Sequence, residues 1–304
     1  MAGTVFTGTI AHGLKKTLDS VITDDNDGVE AKCLMPKWCT EVDMPDNWMD
    51  DLEVAGGGLI GEKTEGAQMG TLTIKEGYLY RYIARTFAGK YIVTEEAIED
   101  EKYSEIIDAA MRLKRSFWKT VDVDSTLMLV RATNTSYVYG DGQALAASAH
   151  PLAQGGTFSN TLATPLSPSR SAAIIAETNV MQYPSQDGIV EGYEIKCIVC
   201  PVPQWAVWNS MVTGNEKAAE PGQFNQPNVI YKKNWDVVPN KYWQNTTTNW
   251  IGITDAENGF KFMWRRKPRS RTWIDNDQEL MKYGISGRWT RGNSNPRSLI
   301  FSNA

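Results

Sequence analysis

Four residue patterns in this chain could carry chemistry. Cys197 and Cys200 stand as C-I-V-C, the spacing of a redox pair or of half a zinc site. They lie inside Ile195-Lys196-Cys197-Ile198-Val199-Cys200, which reads as a buried strand, where positions three apart point to opposite faces. With only His12 and His150 in the chain, a zinc site also lacks ligands. These cysteines, with Cys33 and Cys39, are expected to be reduced thiols buried as small hydrophobes.

The second pattern is the glycine cluster Gly56, Gly57, Gly58, Gly61, Gly66 and Gly70 around Lys63-Thr64. A phosphate cradle would need a strand leading in and a helix leading out, and no helical spacing starts there. The cluster reads as a mobile loop. Third, a nucleophilic triad needs a histidine near Ser or Cys; His150 precedes a proline and reads as a turn residue, and no hydrolase or Rossmann motif occurs. Fourth, Lys261, Arg265, Arg266, Lys267, Arg269 and Arg271 interleave with Phe260, Phe262, Trp264 and Trp273. Such a run could stack on single-stranded nucleic acid, but reads better as a hairpin whose aromatics face a core. Its bases would then meet the acids of 41–53 or 95–105 on a neighbouring copy, Asp43, Asp46, Asp50, Asp51, Glu99 and Asp100 among them. No enzyme, cofactor or metal is expected.

The elements that must hold these residues follow in order. Residues 1–53 lack periodicity and read as an arm. Between Asp19 and Glu53 the chain has eleven acidic residues against Lys32 and Lys37. Residues 54–93 read as a two-stranded hairpin with the glycine-rich part at its tip, since Tyr78, Tyr80 and Tyr82 alternate with Leu79, Arg81 and Ile83. Such a hairpin is marginal alone and must rest on something else. Thr94 before Glu95 and Glu96 offers an N-cap. Tyr103, Ile106, Ile107, Ala110, Leu113, Phe117, Val121 and Met128 then recur at helical steps, giving a long helix over about 101–132. Ser167-Pro168 reads as the start of a second helix, Ile195–Cys200 as a strand and Pro203–Val212 as a short helix. Short strands follow at 229–231, 236–238, 250–254, 260–266 and 298–301. From Lys261 to Arg297 ten basic residues face Asp275, Asp277 and Glu279.

Of the 304 residues, 41% are hydrophobic and 22% charged, enough for a large core or two lobes. No apolar run reaches the roughly 18–20 residues of a membrane span. Met1–Ile10 shows no secretory pattern, so a cytoplasmic start is expected.

Three stretches carry a resemblance. Residues 149–177, AHPLAQGGTFSNTLATPLSPSRSAAIIAE, resemble a segment of phage major head proteins, with a His-Pro turn, Gly-Gly, Ser-Asn and Leu-Ser leading into a helix. Residues 92–113, IVTEEAIEDEKYSEIIDAAMRL, are similar to that family's junction of extended loop and spine helix. Residues 195–211, IKCIVCPVPQWAVWNSM, resemble its strand leading into an axial-domain helix. Their order identifies the chain as resembling the major capsid proteins of tailed bacteriophages, beyond about residue 45.

The resemblance implies an α+β chain of the Hong Kong 97-like fold. Residues 1–53 would be the N-terminal arm and 54–93 the extended loop. Residues 94–140 with about 261–304 would form the peripheral domain, and about 141–260 the axial domain. Copies would form pentamers and hexamers of an icosahedral head around double-stranded DNA, in a virion assembled in the host cytoplasm, with a portal and possible scaffolding and decoration proteins as partners. Expected inter-subunit contacts are Gly61, Lys63, Glu65, Lys75, Tyr78, Tyr80, Arg265, Arg266, Lys267 and Arg269. Some relatives crosslink a loop lysine to a neighbour's asparagine; Lys63 and Lys75 stand in the loop here, but no partner carboxylate is legible. An encapsulin-like compartment is the alternative of the same fold. A carbohydrate-binding or glycan-active protein, suggested by eleven tryptophans and by Asn245–Trp250, is the alternative of another class.

Overall fold

The computed structural model describes residues 16, 17, 20, 28–55, 58–66, 68–71, 75–100, 103–213, 230–243, 248–275 and 280–302. In chain order its elements are β1 (Thr40–Asp43), β2 (Trp48–Ala55), β3 (Lys75–Ile83), β4 (Arg85–Thr94), α1 (Glu95–Glu99), α2 (Tyr103–Val130), β5 (His150–Pro151) and β6 (Thr157–Phe158). Then come α3 (Arg170–Met181), β7 (Ile195–Pro201), α4 (Trp205–Thr213), β8 (Asp236–Asn240), β9 (Trp250–Thr254), β10 (Phe260–Asp275), β11 (Leu280–Asn293) and β12 (Leu299–Ser302). Among the described residues, no helix is long and apolar enough to cross a membrane.

The spine helix expected from apolar spacing is α2, 28 residues and so about 42 Å long. Before it, the Thr94 hydroxyl accepts from the Ala97 amide at 3.3 Å and starts α1 as expected. Ile106, Ala110, Phe117, Val121, Met128 and Leu129 are buried along one stripe of α2. That stripe packs on a sheet of order β1-β10-β11-β4, in which β1 is parallel to β10 and the other pairs are antiparallel. Phe117 meets Trp289 edge-on with centroids 5.4 Å apart, and Trp289 stacks on Phe87 at 4.0 Å. Trp264 closes the group at 5.5 Å from Trp289.

A second sheet, β12-β9-β7-β8, is covered on both faces. Cys197, Val199, Ile251, Leu299 and Phe301 join the core under α2. Ile198, Cys200, Trp250 and Ile300 join another core beneath α3 and α4, with Val180 and Trp208. Cys197 and Cys200 thus lie on opposite faces, as strand geometry requires. All four cysteines are buried and unbridged, and burial pushes the thiols of both Cys197 and Cys200 up to about 12.

Two carboxylates tie the layers together from the buried side of α2. Asp122 Oδ1 accepts from the amides of Leu34 and Met35 at 2.7 and 3.1 Å, and from Cys33 Sγ at 3.0 Å. It thereby caps the 3-10 turn Met35–Lys37. Asp124 accepts from the Trp289 indole at 3.0 Å, reaches Arg85 at 3.2 Å and pairs with Arg291.

Several boundaries differ from the sequence reading, each for a physical reason. The hairpin starts earlier: β2 pairs with β3 from Trp48↔Ile83 to Ala55↔Lys75. Arg85–Thr94 leaves it and pairs along β11 instead. Alternation is continuous through both strands, and only Ala84 separates them. The Ser-Pro signal sat two residues early, because Ser169 is the N-cap, accepting from the Ala172 amide at 3.1 Å. Residues 230–233 form a 3-10 turn, not a strand. β10 continues past Pro268 to Asp275, since register shifts between Trp264 and Arg269 remove the proline from the ladder.

Replacing Asp122 with Ala leaves buried donors at residues 33–35 unmet, which should cost about 2–4 kcal/mol. Urea unfolding of Asp122→Ala should show that loss, with proteolysis near residue 35 preceding global unfolding. Wild-type stability in this variant would refute the assigned tie.

Candidate assembly surfaces

The ribbon β2–β3 has two unlike faces. Tyr80 and Tyr82 point inward, 3% and 7% exposed, and pack with Met44 and Met263. Backbone must come very close to seat these rings. A Cβ at Gly292 would stand 2.0 Å from the Tyr82 ring, and one at Gly140 would stand 2.5 Å from the Leu79 carbonyl oxygen. The Tyr82 hydroxyl then meets Ser294 Oγ at 2.7 Å. Two ion pairs anchor the same root: Lys261 with Asp51, and Arg297 with Glu53 at 2.8 Å. Arg297 is itself buried, over the Phe158 ring at 4.8 Å, and Gln186 donates to the other Glu53 oxygen at 2.7 Å.

The outward face carries the pairs Trp48↔Ile83 and Leu52↔Leu79, all four exposed. Between them Arg81 grips Asp50 with both forks, at 2.6 and 2.5 Å, and lies over Trp48. That grip holds the Asp50 carboxyl below its usual range. Beyond the ribbon, residues 58–66 are exposed throughout, including Leu59 and Ile60. A Cβ at Gly58, Gly61, Gly66 or Gly70 would meet nothing within 4 Å. Exposed apolar side chains of this kind form a candidate interaction surface.

A third surface is the face of the long sheet turned away from α2. Register places Ile92, Lys282 and Trp273 in one row, then Lys90, Gly284 and Arg271, then Ala88, Ser286 and Arg269, then Thr86, Arg288 and Arg266. Six cations share this face, where Asp275 pairs with Lys282. Burial, followed by the charges of Arg271, Arg288 and Arg269, drives the Arg266 guanidinium below its ordinary proton affinity. Like charges crowded in this way are a cost that an anion placed on the face would relieve.

No protein-family model and no curated sequence matches the chain. Solved structures do. It aligns with a structure from Microbacterium phage Oxtober96 at a TM-score of 0.54 and 11% identity, covering 88% of this chain and 89% of that one. With the procapsid of bacteriophage JBD30 the TM-score is 0.54 at 13% identity, over 98% and 76%. A virus-like particle from Pyrococcus furiosus gives 0.50 at 10%, over 94% and 98%. The chain has the fold of a phage capsid subunit.

Within it, the expected site residues fall into three groups. Gly61, Lys63 and Glu65 stand in the exposed loop, and Arg265, Lys267 and Arg269 are exposed on β10. Arg266 is half-buried and donates to Ser286 Oγ at 3.0 Å. Tyr78 is half-buried and Tyr80 is buried in its own chain, which leaves Tyr80 no surface for a neighbour. Among the expected acidic partners, Asp43, Asp46 and Asp100 are exposed, whereas Asp50 and Asp51 are already engaged by Arg81 and Lys261. The side chains of Lys75 and Glu99 lie outside the described residues. Eight of the eleven tryptophans are buried; only Trp48, Trp205 and Trp273 are substantially exposed. Their number therefore reflects the core, and Asn245–Thr247 lie outside the described residues. The exposed pairs Trp48/Ile83 and Leu52/Leu79 were missed, although the alternation around Tyr80 and Tyr82 encodes them as its opposite phase.

Gly292→Ala should force Tyr82 off its seat and cost about 1–3 kcal/mol, read as a lowered melting temperature. Tyr82→Leu in the same chain should recover part of that loss. If Gly292→Ala melts like the wild type, the seat does not anchor the hairpin.

Proposed function

We propose that this chain is the major capsid protein of a tailed phage, a structural subunit whose copies form pentamers and hexamers that close into an icosahedral head around double-stranded DNA. One observation carries the reading: a capsid fold with a long ribbon whose outer face and loop carry exposed apolar side chains that its own chain leaves uncovered. Repetition of one contact around a symmetric shell multiplies a weak interaction many times. In this reading residues 94–140 with 261–304 are the peripheral domain and 141–260 the axial domain. Portal, scaffolding and decoration proteins are its further partners, and assembly takes place in the host cytoplasm.

The basic sheet face has a specific role in this assembly. Asp50, Asp51 and Glu53 are engaged within the chain, so they are poor partners for a neighbour's arginines. Glu62 and Glu65 in the loop are exposed, and two residues before Glu62 stands exposed Ile60. On the sheet, Arg271 stands two residues from Trp273, in the next row. An extended loop repeats its side chains at the spacing of strand rows, so Ile60 and Glu62 of one copy match Trp273 and Arg271 of the next. Each exposed ion pair contributes about 0–1 kcal/mol, enough only when many copies add.

Expression of the full chain, size exclusion and negative-stain imaging test the reading. Closed shells or capsomer rings are expected, and a protein cargo inside in place of nucleic acid would point to a compartment. A monomer that binds glycans would overturn the capsid reading. Arg269→Glu with Arg271→Glu should abolish shells while leaving the melting temperature nearly unchanged. Adding Glu62→Lys and Glu65→Lys should restore them. Normal assembly of the arginine variant would sink the loop pairing alone.

A further inference from the structure

A second concentration of arginine lies on the helix side of the long sheet, opposite its basic face and beside the ribbon root. There a groove of about 300 Å³ runs between the hairpin root, the end of α2 and β11. Arg81, Arg85, Arg131 and Arg291 line it, with Tyr137 and Tyr139. Two carboxylates answer these four charges. Asp50 is held by Arg81, and Asp124 is shared by Arg85 and Arg291. Four positive charges less two negative ones leave the groove with two in excess.

The four guanidiniums are differently placed. The Arg291 side chain is 8% exposed, while that of Arg85 is 52% exposed. Arg131 lies over the Tyr137 ring at 4.3 Å and has no ion pair among the described residues. Burial pulls the Arg291 guanidinium below its ordinary proton affinity, and the nearby Arg85 charge adds to that. Desolvated positive charge with partial compensation is costly unless an anion completes it. Guanidinium forks fit the paired oxygens of a phosphate better than a compact ammonium does. The groove is too small for a duplex and large enough for one tetrahedral oxyanion.

We infer that this groove is a binding site for a phosphate group, with Arg85 as its exposed fork, Arg131 as a half-buried one and Arg291 as its buried one. It does not depend on the capsid reading. The phosphate can be free in solution or belong to a nucleic-acid backbone, and the test separates these sources.

The melting temperature of the full chain is followed as inorganic phosphate replaces chloride at constant ionic strength. The expected result is a rise with phosphate concentration, as for any ligand that binds only the folded state. Arg131→Gln should weaken the apparent affinity about tenfold or more, the effect of losing one charge-assisted hydrogen bond. Arg131→Lys, which keeps the charge without the fork, should fall between. Arg265→Gln, on β10 but not lining the groove, should behave as the wild type. A short duplex oligonucleotide that competes with phosphate would identify a backbone phosphate, and one that does not would identify the free ion. Equal melting in phosphate and chloride overturns the inference, as does an undiminished rise in both Arg131 variants. Either result leaves the shell-forming reading untouched.

Discussion

Asp122 and Asp124 lie two residues apart on the buried side of α2, where a carboxylate is tolerated only when donors meet it. Asp122 is met by the backbone of residues 34 and 35, and Asp124 by Trp289, Arg85 and Arg291. One helix therefore fixes two otherwise unrelated parts, the segment before β1 and the far end of β11. Hydrophobic burial alone would let α2 slide along an aromatic surface, because apolar contact has no preferred register. The carboxylates supply that register. Once it is set, Phe117 stands over Trp289 and Trp289 over Phe87, and the sheet has one way to curve beneath the helix.

The direction of the ribbon follows from the same docking. Arg85 reaches Asp124 just after β3 ends, so the chain must turn there from the ribbon into the sheet. Tyr82, three residues earlier, is held over Gly292 on β11. The root of the ribbon is thus clamped to the strand that α2 positions. Among the described residues, its outer face and loop have no comparable contacts.

How far this was legible depended on which force set each element. The spine helix was read within two residues at each end, because its stripe is a regular apolar pattern against one surface. The thiols were also legible, since a period of two sends Cys197 and Cys200 into different cores. β11 was not legible. It is buried over most of its length, yet Gly284, Gly287 and Gly292 interrupt the β-forming residues where aromatic rings from other elements need space. That demand comes from Phe117, Trp273 and Tyr82, none of which is near in sequence. β1 was hidden for the same reason, since four short residues become a strand only against β10. At the candidate surfaces, the basic run could be read as exposed, but which acids remained for a neighbour could not. Only geometry shows that Asp50, Asp51 and Glu53 are taken.

That distribution of charge explains why a negatively charged chain can still present a cationic face. Asp50, Asp51 and Glu53 are consumed on the ribbon, at whose root Lys261 and Arg297 are buried enough to need partners. The remaining bases of β10 and β11 alternate outward on strands whose other face is committed to aromatic packing. Moving them inward would break the register that α2 imposes, and pairing them locally would require acids on β4, which instead offers Lys90 and Ala88 there. The same alternation that builds the core therefore leaves like charges side by side on its reverse. In the proposed assembly, such a face leaves the monomer incomplete in a defined way. It is saturated where the helix meets the sheet, and unsatisfied on the side where an anionic segment can reach every row at strand spacing.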